Sequence, residues 1–417
     1  MHFLFSLKAS VAIIALCIAT SLSGETLERP PHIEVQGRQL LVDGKPFVMK
    51  GVCYNPVPKG GAYPEGLITQ HPTKQDLAVI KKDFEMMHAA GINTIRTYMP
   101  LLDKRILKLL ADNKLKTIVP IRTACSISTN RVSTTLSALK NEPSTLIWEI
   151  GNECNLNHFY SGTAIRPEGM SSSQLALFVT TTASLIKNLD STHPVSIGIG
   201  IPTILQSSYL SFDDTNIDLY GLNYYNGLTH SELCLIWPQL SNKPLYLSEF
   251  GATAYNLAIN GVPPDSWASD VSFFATQLDR YYLFGQLPPP FLYNNNISLG
   301  TIFGGAAFGE DENAQADGIT SLVTDVQSHL SANNSDNIFV GGCVFEWSDE
   351  WWKAPWKNNT LGLSLHSIDG TCCANAEGFL DYGPYPDHFY HEEWFGLLTI
   401  DRVPRASYFA LQKLYSE

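Results

Sequence analysis

Positive charge is scarce in this chain. Lys and Arg number 27 against 40 Asp and Glu, a formal net charge of −13 over 417 residues. No basic block interrupts the deficit. Phosphate backbones and anionic membrane surfaces are held by clustered cations, so neither nucleic acid nor a membrane surface is an expected partner. Charge of either sign is sparse, at 16% of residues against 44% hydrophobic, which predicts a large buried core. Cysteine occurs eight times but never as Cys-x-x-Cys, and the eleven histidines do not cluster with the cysteines. No zinc site follows from such spacing, and no metal or cofactor is expected. There is no fixed-period repeat. No glycine-rich phosphate turn follows the first apolar strand, which weighs against a doubly wound dinucleotide fold. Long apolar runs are missing too. The one candidate, Val11 to Thr20, is too short to span a bilayer comfortably. With Lys8 before it and Ser21-Leu22-Ser23 after it, it reads as an export signal over residues 1–23, so the mature chain is expected outside the cell or in the periplasm. An uncleaved anchor is the rival reading.

Seven cysteines remain beyond that signal, so at least one thiol is left over. Cys53 and Cys343 fall in the expected first and last strands, which would be neighbours in a closed barrel. They would either pair or stay as two buried thiols. Asn296, Asn333 and Asn358 begin glycosylation sequons.

What the chain does have is two short strings ninety-six residues apart. They are Trp148-Glu149-Ile150-Gly151-Asn152-Glu153 and Leu247-Ser248-Glu249-Phe250-Gly251, each ending an apolar, strand-like run. Two carboxylates brought to one pocket by different strands are what cleavage of a glycosidic bond requires. One protonates the leaving oxygen and the other attacks the sugar carbon.

The rest of the chain alternates strands and helices. Ile33 to Lys50 reads as a hairpin turned at Asp43-Gly44. Eight strands then end near Tyr54, Tyr98, Ile121, Ile150, Ile199, Tyr225, Glu249 and Trp347. Between them lie helical patterns such as Leu77, Ile80, Phe84 and Met87, started by a Thr73–Asp76 capping box and stopped at Gly91. This pattern predicts an α/β fold, a (β/α)8 TIM barrel, over residues 24–417 as one domain. A long insertion, about residues 252–311, follows strand seven and contains an expected helix from Ser266 to Tyr282. In such a barrel the carboxyl ends of the strands line one pocket. Asn55, Arg96, Glu153, Tyr225, Glu249 and Trp347 all fall there.

On these residues the sequence resembles the clan A retaining glycoside hydrolases. It looks most like the catalytic barrel of family 2, through Gly91-Ile92-Asn93-Thr94-Ile95-Arg96, the two glutamate strings and Asp401-Arg402-Val403-Pro404. It is also similar to the family 72 β-1,3-glucanosyltransferases, through Tyr220-Gly221-Leu222-Asn223-Tyr224-Tyr225. Family 5 relatives have a histidine where Asn223 stands. The resemblance implies a retaining glycosidase acting on a β-linked glycan, with a β-glucan transglycosylase or a non-catalytic carbohydrate-binding barrel as alternatives. It implies Glu153 as acid/base and Glu249 as nucleophile. Asn152 would bind the sugar 2-hydroxyl, Tyr225 would donate to Glu249, and Arg96 would hold Glu249 ionised. Trp347 would form the floor under the sugar.

Overall fold

The computed structural model describes residues 30–59, 61, 63, 66–121, 129–153, 172–200, 212–225, 228–257, 308–351 and 394–416. The expected signal, the sequons at Asn296 and Asn358, the helix Ser266–Tyr282 and Cys125, Cys154, Cys372 and Cys373 lie outside the described residues.

The chain enters through a small antiparallel sheet, β1 (Ile33–Gln36), β2 (Gln39–Val42) and β3 (Lys45–Pro46). The expected hairpin is thus three strands with two turns. Besides Asp43-Gly44 the chain reverses at Gly37, whose φ of +58° suits a residue without a Cβ. Eight strands then close a barrel, each parallel to both neighbours: β4 (Met49–Cys53), β5 (Thr94–Arg96), β6 (Lys116–Ile121), β7 (Thr145–Ile150), β8 (Val195–Gly200), β9 (Leu219–Asn223), β10 (Leu245–Phe250) and, after two short strands outside the barrel, β13 (Phe339–Val344). The (β/α)8 barrel expected from the alternation of elements is the observed fold.

Helices α1 (Lys74–Ala89), α2 (Lys104–Asp112), α3 (Thr129–Leu139), α4 (Ser172–Leu189), α5 (Ser231–Leu240), α6 (Glu312–Ser328) and α7 (Ala406–Ser416) follow or separate the strands. Local chemistry sets their ends. Thr73 Oγ1 accepts the Asp76 backbone N–H at 3.2 Å, and Asp76 accepts the Thr73 N–H at 2.9 Å, so two orphan donors of α1 are satisfied. Ile80, Phe84 and Met87 then bury one stripe of α1 against the barrel wall. Each such side chain contributes about 1.5–3 kcal/mol as an upper estimate. Gly91 ends the turn at φ +77°.

The core has two layers. One fills the space between the strands and the helices, with Val52, Ile95, Trp148, Leu222 and Leu247 facing outward. The other fills the barrel interior and the end covered by the small sheet, with Ile33, Leu40, Met49, Cys53, Ile118, Tyr246 and Cys343. Cys53 and Cys343 lie on neighbouring strands as two buried free thiols. The long insertion leaves and returns through a two-stranded antiparallel ladder, β11 (Tyr255–Leu257) on β12 (Phe308–Glu310), just past the end of β10. Among the described residues, no helix is long and apolar enough to cross a membrane.

Candidate active site

Strand period decides which side chains meet inside the barrel. On β9 the alternation is regular. Tyr220, Leu222 and Tyr224 pack outward, while Leu219, Gly221, Asn223 and then Tyr225 turn inward. Strand β10 departs from it. Leu245 and Leu247 face the helices and Tyr246 faces the interior, so strict alternation would turn Glu249 outward. The pairing shifts register between Leu247 and Glu249 against β9, and again between Leu247 and Phe250 against β13. Such a bulge re-aims a side chain. Ser248 and Glu249 both face the interior, and Phe250 resumes the outward position.

Glu249 is 7% exposed and receives three side-chain donors. Arg96 Nη1 donates to Oε1 at 2.8 Å, the Tyr98 hydroxyl to Oε1 at 2.6 Å and the Tyr225 hydroxyl to Oε2 at 3.1 Å. Arg96 is fully buried and spends its whole fork on this site. Its Nε donates to Glu149 at 2.9 Å and its Nη2 to Asn152 Oδ1 at 2.9 Å. Burial works against the guanidinium charge, but Glu149, Tyr98 and Glu249 outweigh it and hold the group well above its ordinary value. Glu149 takes the barrel ion-pair position, backed by the Tyr246 hydroxyl at 2.6 Å. Its carboxyl is pushed up by burial, against the pull of Arg96 and Tyr246. One buried cation therefore serves two carboxylates.

The second glutamate stands beyond the strand end. Gly151 and Glu153 both adopt positive φ, +65° and +47°. For a glutamate the left-handed region costs about 1–2 kcal/mol. Backbone strain of this kind is concentrated at functional sites. Glu153 Oε1 accepts from Asn223 Nδ2 at 3.1 Å, and the same amide donates to Asn152 Oδ1 at 3.1 Å. Ser248 fixes the Asn223 amide by donating to its Oδ1 at 2.7 Å. The chain Glu153–Asn223–Asn152–Arg96–Glu249 is thus continuous through side-chain hydrogen bonds at the carboxyl end of the barrel. Asn152 Oδ1 faces Arg96 and Asn223, so its Nδ2 is turned the opposite way.

The other expected site residues divide. Tyr225 reaches Glu249, whereas its neighbour Tyr224 is buried on the helix side near Glu232. Asn55 is buried at the end of β4 and donates to Glu350, not to either glutamate of the pair. Trp347 is not where a sugar floor requires it. It is 1% exposed, belongs to the layer under the helices, and meets the Tyr408 ring of α7 edge-on at 6.1 Å. The reason is that β13 ends at Val344, so a period counted through to Trp347 does not hold. The strand-eight aromatic on the interior side is Phe345, whose ring stands 6.3 Å from Tyr225 and 5.5 Å from Phe395.

Four contributors escaped sequence reasoning. Tyr98 had a signal, since it lies two residues beyond Arg96 and shares its face. Phe345 and the donor role of Asn223 required the strand ends. Gly198 on β8 required the packing: a Cβ there would stand 2.8 Å from the Gly151 carbonyl oxygen and 3.3 Å from Asn152 Cα. Two further carboxylates, Asp349 and Asp311, have structural partners. Asp349 is held by Arg405 at 2.6 and 2.8 Å, and Asp311 caps α6. Among the described residues, no group of three potential ligands forms a metal site.

No protein-family model matches the chain, and no curated protein does. Solved structures do. A β-D-glucuronidase from Dictyoglomus thermophilum aligns over 93% of this chain at 16% identity with a TM-score of 0.55. A GH2 β-galacturonidase from Eisenbergiella tayi bound to galacturonate aligns over 93% at 16% identity and 0.54. A Faecalibacterium prausnitzii β-glucuronidase gives 93%, 16% and 0.54. The chain spans about half the length of these structures, 54%, 54% and 51%. At this identity the likeness is one of fold. It agrees with the (β/α)8 barrel expected from the sequence; none of the three is a glucanosyltransferase.

Proposed function

We propose that this protein is a retaining glycosidase that cleaves a β-linked glycan, with Glu249 as nucleophile and Glu153 as acid/base. The observation that carries this is the hydrogen-bonded chain joining the two glutamates through Asn223, Asn152 and Arg96. A pair of salt bridges at strand ends does not need a shared amide relay, nor three donors on one carboxylate. The structural neighbours, β-glucuronidases and a β-galacturonidase, support a β-glycoside as the substrate class.

Chemically, Glu153 enters as the acid and protonates the leaving oxygen. Glu249 attacks the anomeric carbon, and Glu153 then takes the proton of an incoming water. The Nδ2 of Asn152, turned away from Arg96, is the group that donates to the sugar 2-hydroxyl. Phe345, not Trp347, supplies the apolar wall beside Tyr225. Transfer to a sugar hydroxyl in place of water uses the same residues, and products longer than the donor would mark it.

The test is a screen of the purified chain against dinitrophenyl β-glycosides, uronides included, and against glucan and mannan polymers. Turnover of at least one, lost on Glu249→Ala and partly restored by azide as a glycosyl azide, is the expected result. A correctly folded protein inert on the whole panel, or one whose activity survives Glu249→Ala, sinks the reading.

A further inference from the structure

The donors on Glu249 are divided unevenly between its two oxygens. Oε1 accepts from Arg96 Nη1 at 2.8 Å and from the Tyr98 hydroxyl at 2.6 Å. Oε2 accepts, among the described residues, from the Tyr225 hydroxyl at 3.1 Å. A carboxylate offers roughly four lone-pair sites, two on each oxygen. Oε1 is therefore filled, and Oε2 keeps a position for bonding.

We propose that Tyr98 is a positioning residue which, together with Arg96, reserves Oε1 as the anchored oxygen and leaves Oε2 to attack the sugar. The proposal rests on the reading of the protein as a retaining glycosidase.

Tyr98 is suited to the task. Arg96 and Tyr98 are two residues apart and face the same side at the end of β5. The guanidinium carbon lies 5.0 Å from the centre of the Tyr98 ring, so the two donors arrive as one stacked unit. Burial, with Cys53 and Glu249 adding to it, pushes the phenol well above its usual range. The hydroxyl thus remains a proton donor at any working pH.

The electron count assigns it a step. The Oε2 lone pair forms a bond to the anomeric carbon. The bond from that carbon to the leaving oxygen breaks, and its electrons stay with that oxygen, which takes the proton of Glu153. In the resulting ester Oε1 is the carbonyl oxygen and keeps its two donors. When water attacks the anomeric carbon, giving its proton to Glu153, the bond to Oε2 breaks and negative charge returns to the carboxylate. Donors already aimed at Oε1 stabilise that charge as it develops. Tyr225 differs: its longer bond is to the oxygen that must exchange a lone pair for a covalent bond.

Tyr98→Phe keeps the ring and its stacking on Arg96 but removes the hydroxyl. Breakdown of the glycosyl-enzyme should slow about ten- to hundredfold, as for one hydrogen bond to a charged group. On a dinitrophenyl glycoside that the wild type hydrolyses, kcat should fall more than kcat/KM. A pre-steady-state burst of dinitrophenolate should appear. A crystal structure of the wild type trapped with the matching deoxyfluoro glycoside should show the ester through Oε2, with Oε1 still bonded to Arg96 and Tyr98. An ester through Oε1, or Tyr98→Phe kinetics equal to wild type, overturns the proposal and leaves the glycosidase reading intact. No turnover and no adduct on Glu249 overturns both.

Discussion

The two glutamates of the site are held in opposite ways. Glu249 lies inside β10, is 7% exposed, and is clamped by donors from β5 and from the end of β9. Glu153 lies three residues past β7, is only partly buried, sits at φ +47°, and accepts from an amide, Asn223. A nucleophile gains from being fixed at bonding distance, since misplacement by an ångström is costly. A group that gives a proton and later takes one must stay open to the departing and arriving molecules. The clamped half and the more open half thus match the two proposed roles, and each can be tested by its own substitutions.

The largest expected effect is on the clamped half. Glu249→Ala should lower kcat by about 10⁴-fold or more on every substrate, because no other described carboxylate faces the same position. Glu153→Ala should cost about 10²–10⁴-fold on substrates with poor leaving groups. It should cost far less on dinitrophenyl glycosides, whose leaving oxygen needs no proton. Steady-state rates across a series of aryl leaving groups measure this. A Glu153→Ala loss that is the same for every leaving group would falsify the assignment of the proton donor. Next in size is the cation that serves both carboxylates. Arg96→Met strands Glu149 and Glu249, so unfolding in denaturant should show a loss of about 3–5 kcal/mol, as for breaking a buried ion pair. An unchanged midpoint would mean that the two buried ion pairs of Arg96 contribute nothing to folding.

How much of this was legible in the sequence follows the same division. The barrel was readable because its signals are local: near-continuous apolar runs, the Thr73–Asp76 cap, the stripe Ile80, Phe84, Met87. Tyr225 and Tyr224 were separable by alternation, because β9 keeps a regular register into its end. The inward turn of Glu249 was not readable by period at all. Counting from Leu245 and Leu247 sends it outward, and only the shifted register with β9 and β13 brings it in. The likeness of motifs supplied what alternation could not. Trp347 failed for the converse reason: strand eight was expected to run on to Trp347, whereas β13 ends at Val344. Asn223 was seen as a replaced histidine, but its service to Glu153 and Asn152 depends on a contact between residues seventy apart in the chain. Side-chain relays across three strands have no local signature.

The smallest change offers the sharpest test of whether the two halves are separable. Gly198 on β8 faces the loop that carries Glu153. A methyl group there would stand 2.8 Å from the Gly151 carbonyl oxygen and 3.3 Å from Asn152 Cα, while Arg96 Nη2, at 3.5 Å, is at ordinary contact. Backbone cannot swing aside as a side chain can, so Gly198→Ala should push the Gly151–Glu153 loop outward and leave the Glu249 clamp in place. Overpacking of this kind costs about 1–3 kcal/mol. The kinetic consequence should copy that of Glu153→Ala in miniature: slow on poor leaving groups, near wild type on dinitrophenolate. A uniform loss across the series would mean that the displacement travels through Asn152 to Arg96 and Glu249. In that case the amide relay couples the acid to the nucleophile instead of merely spacing them.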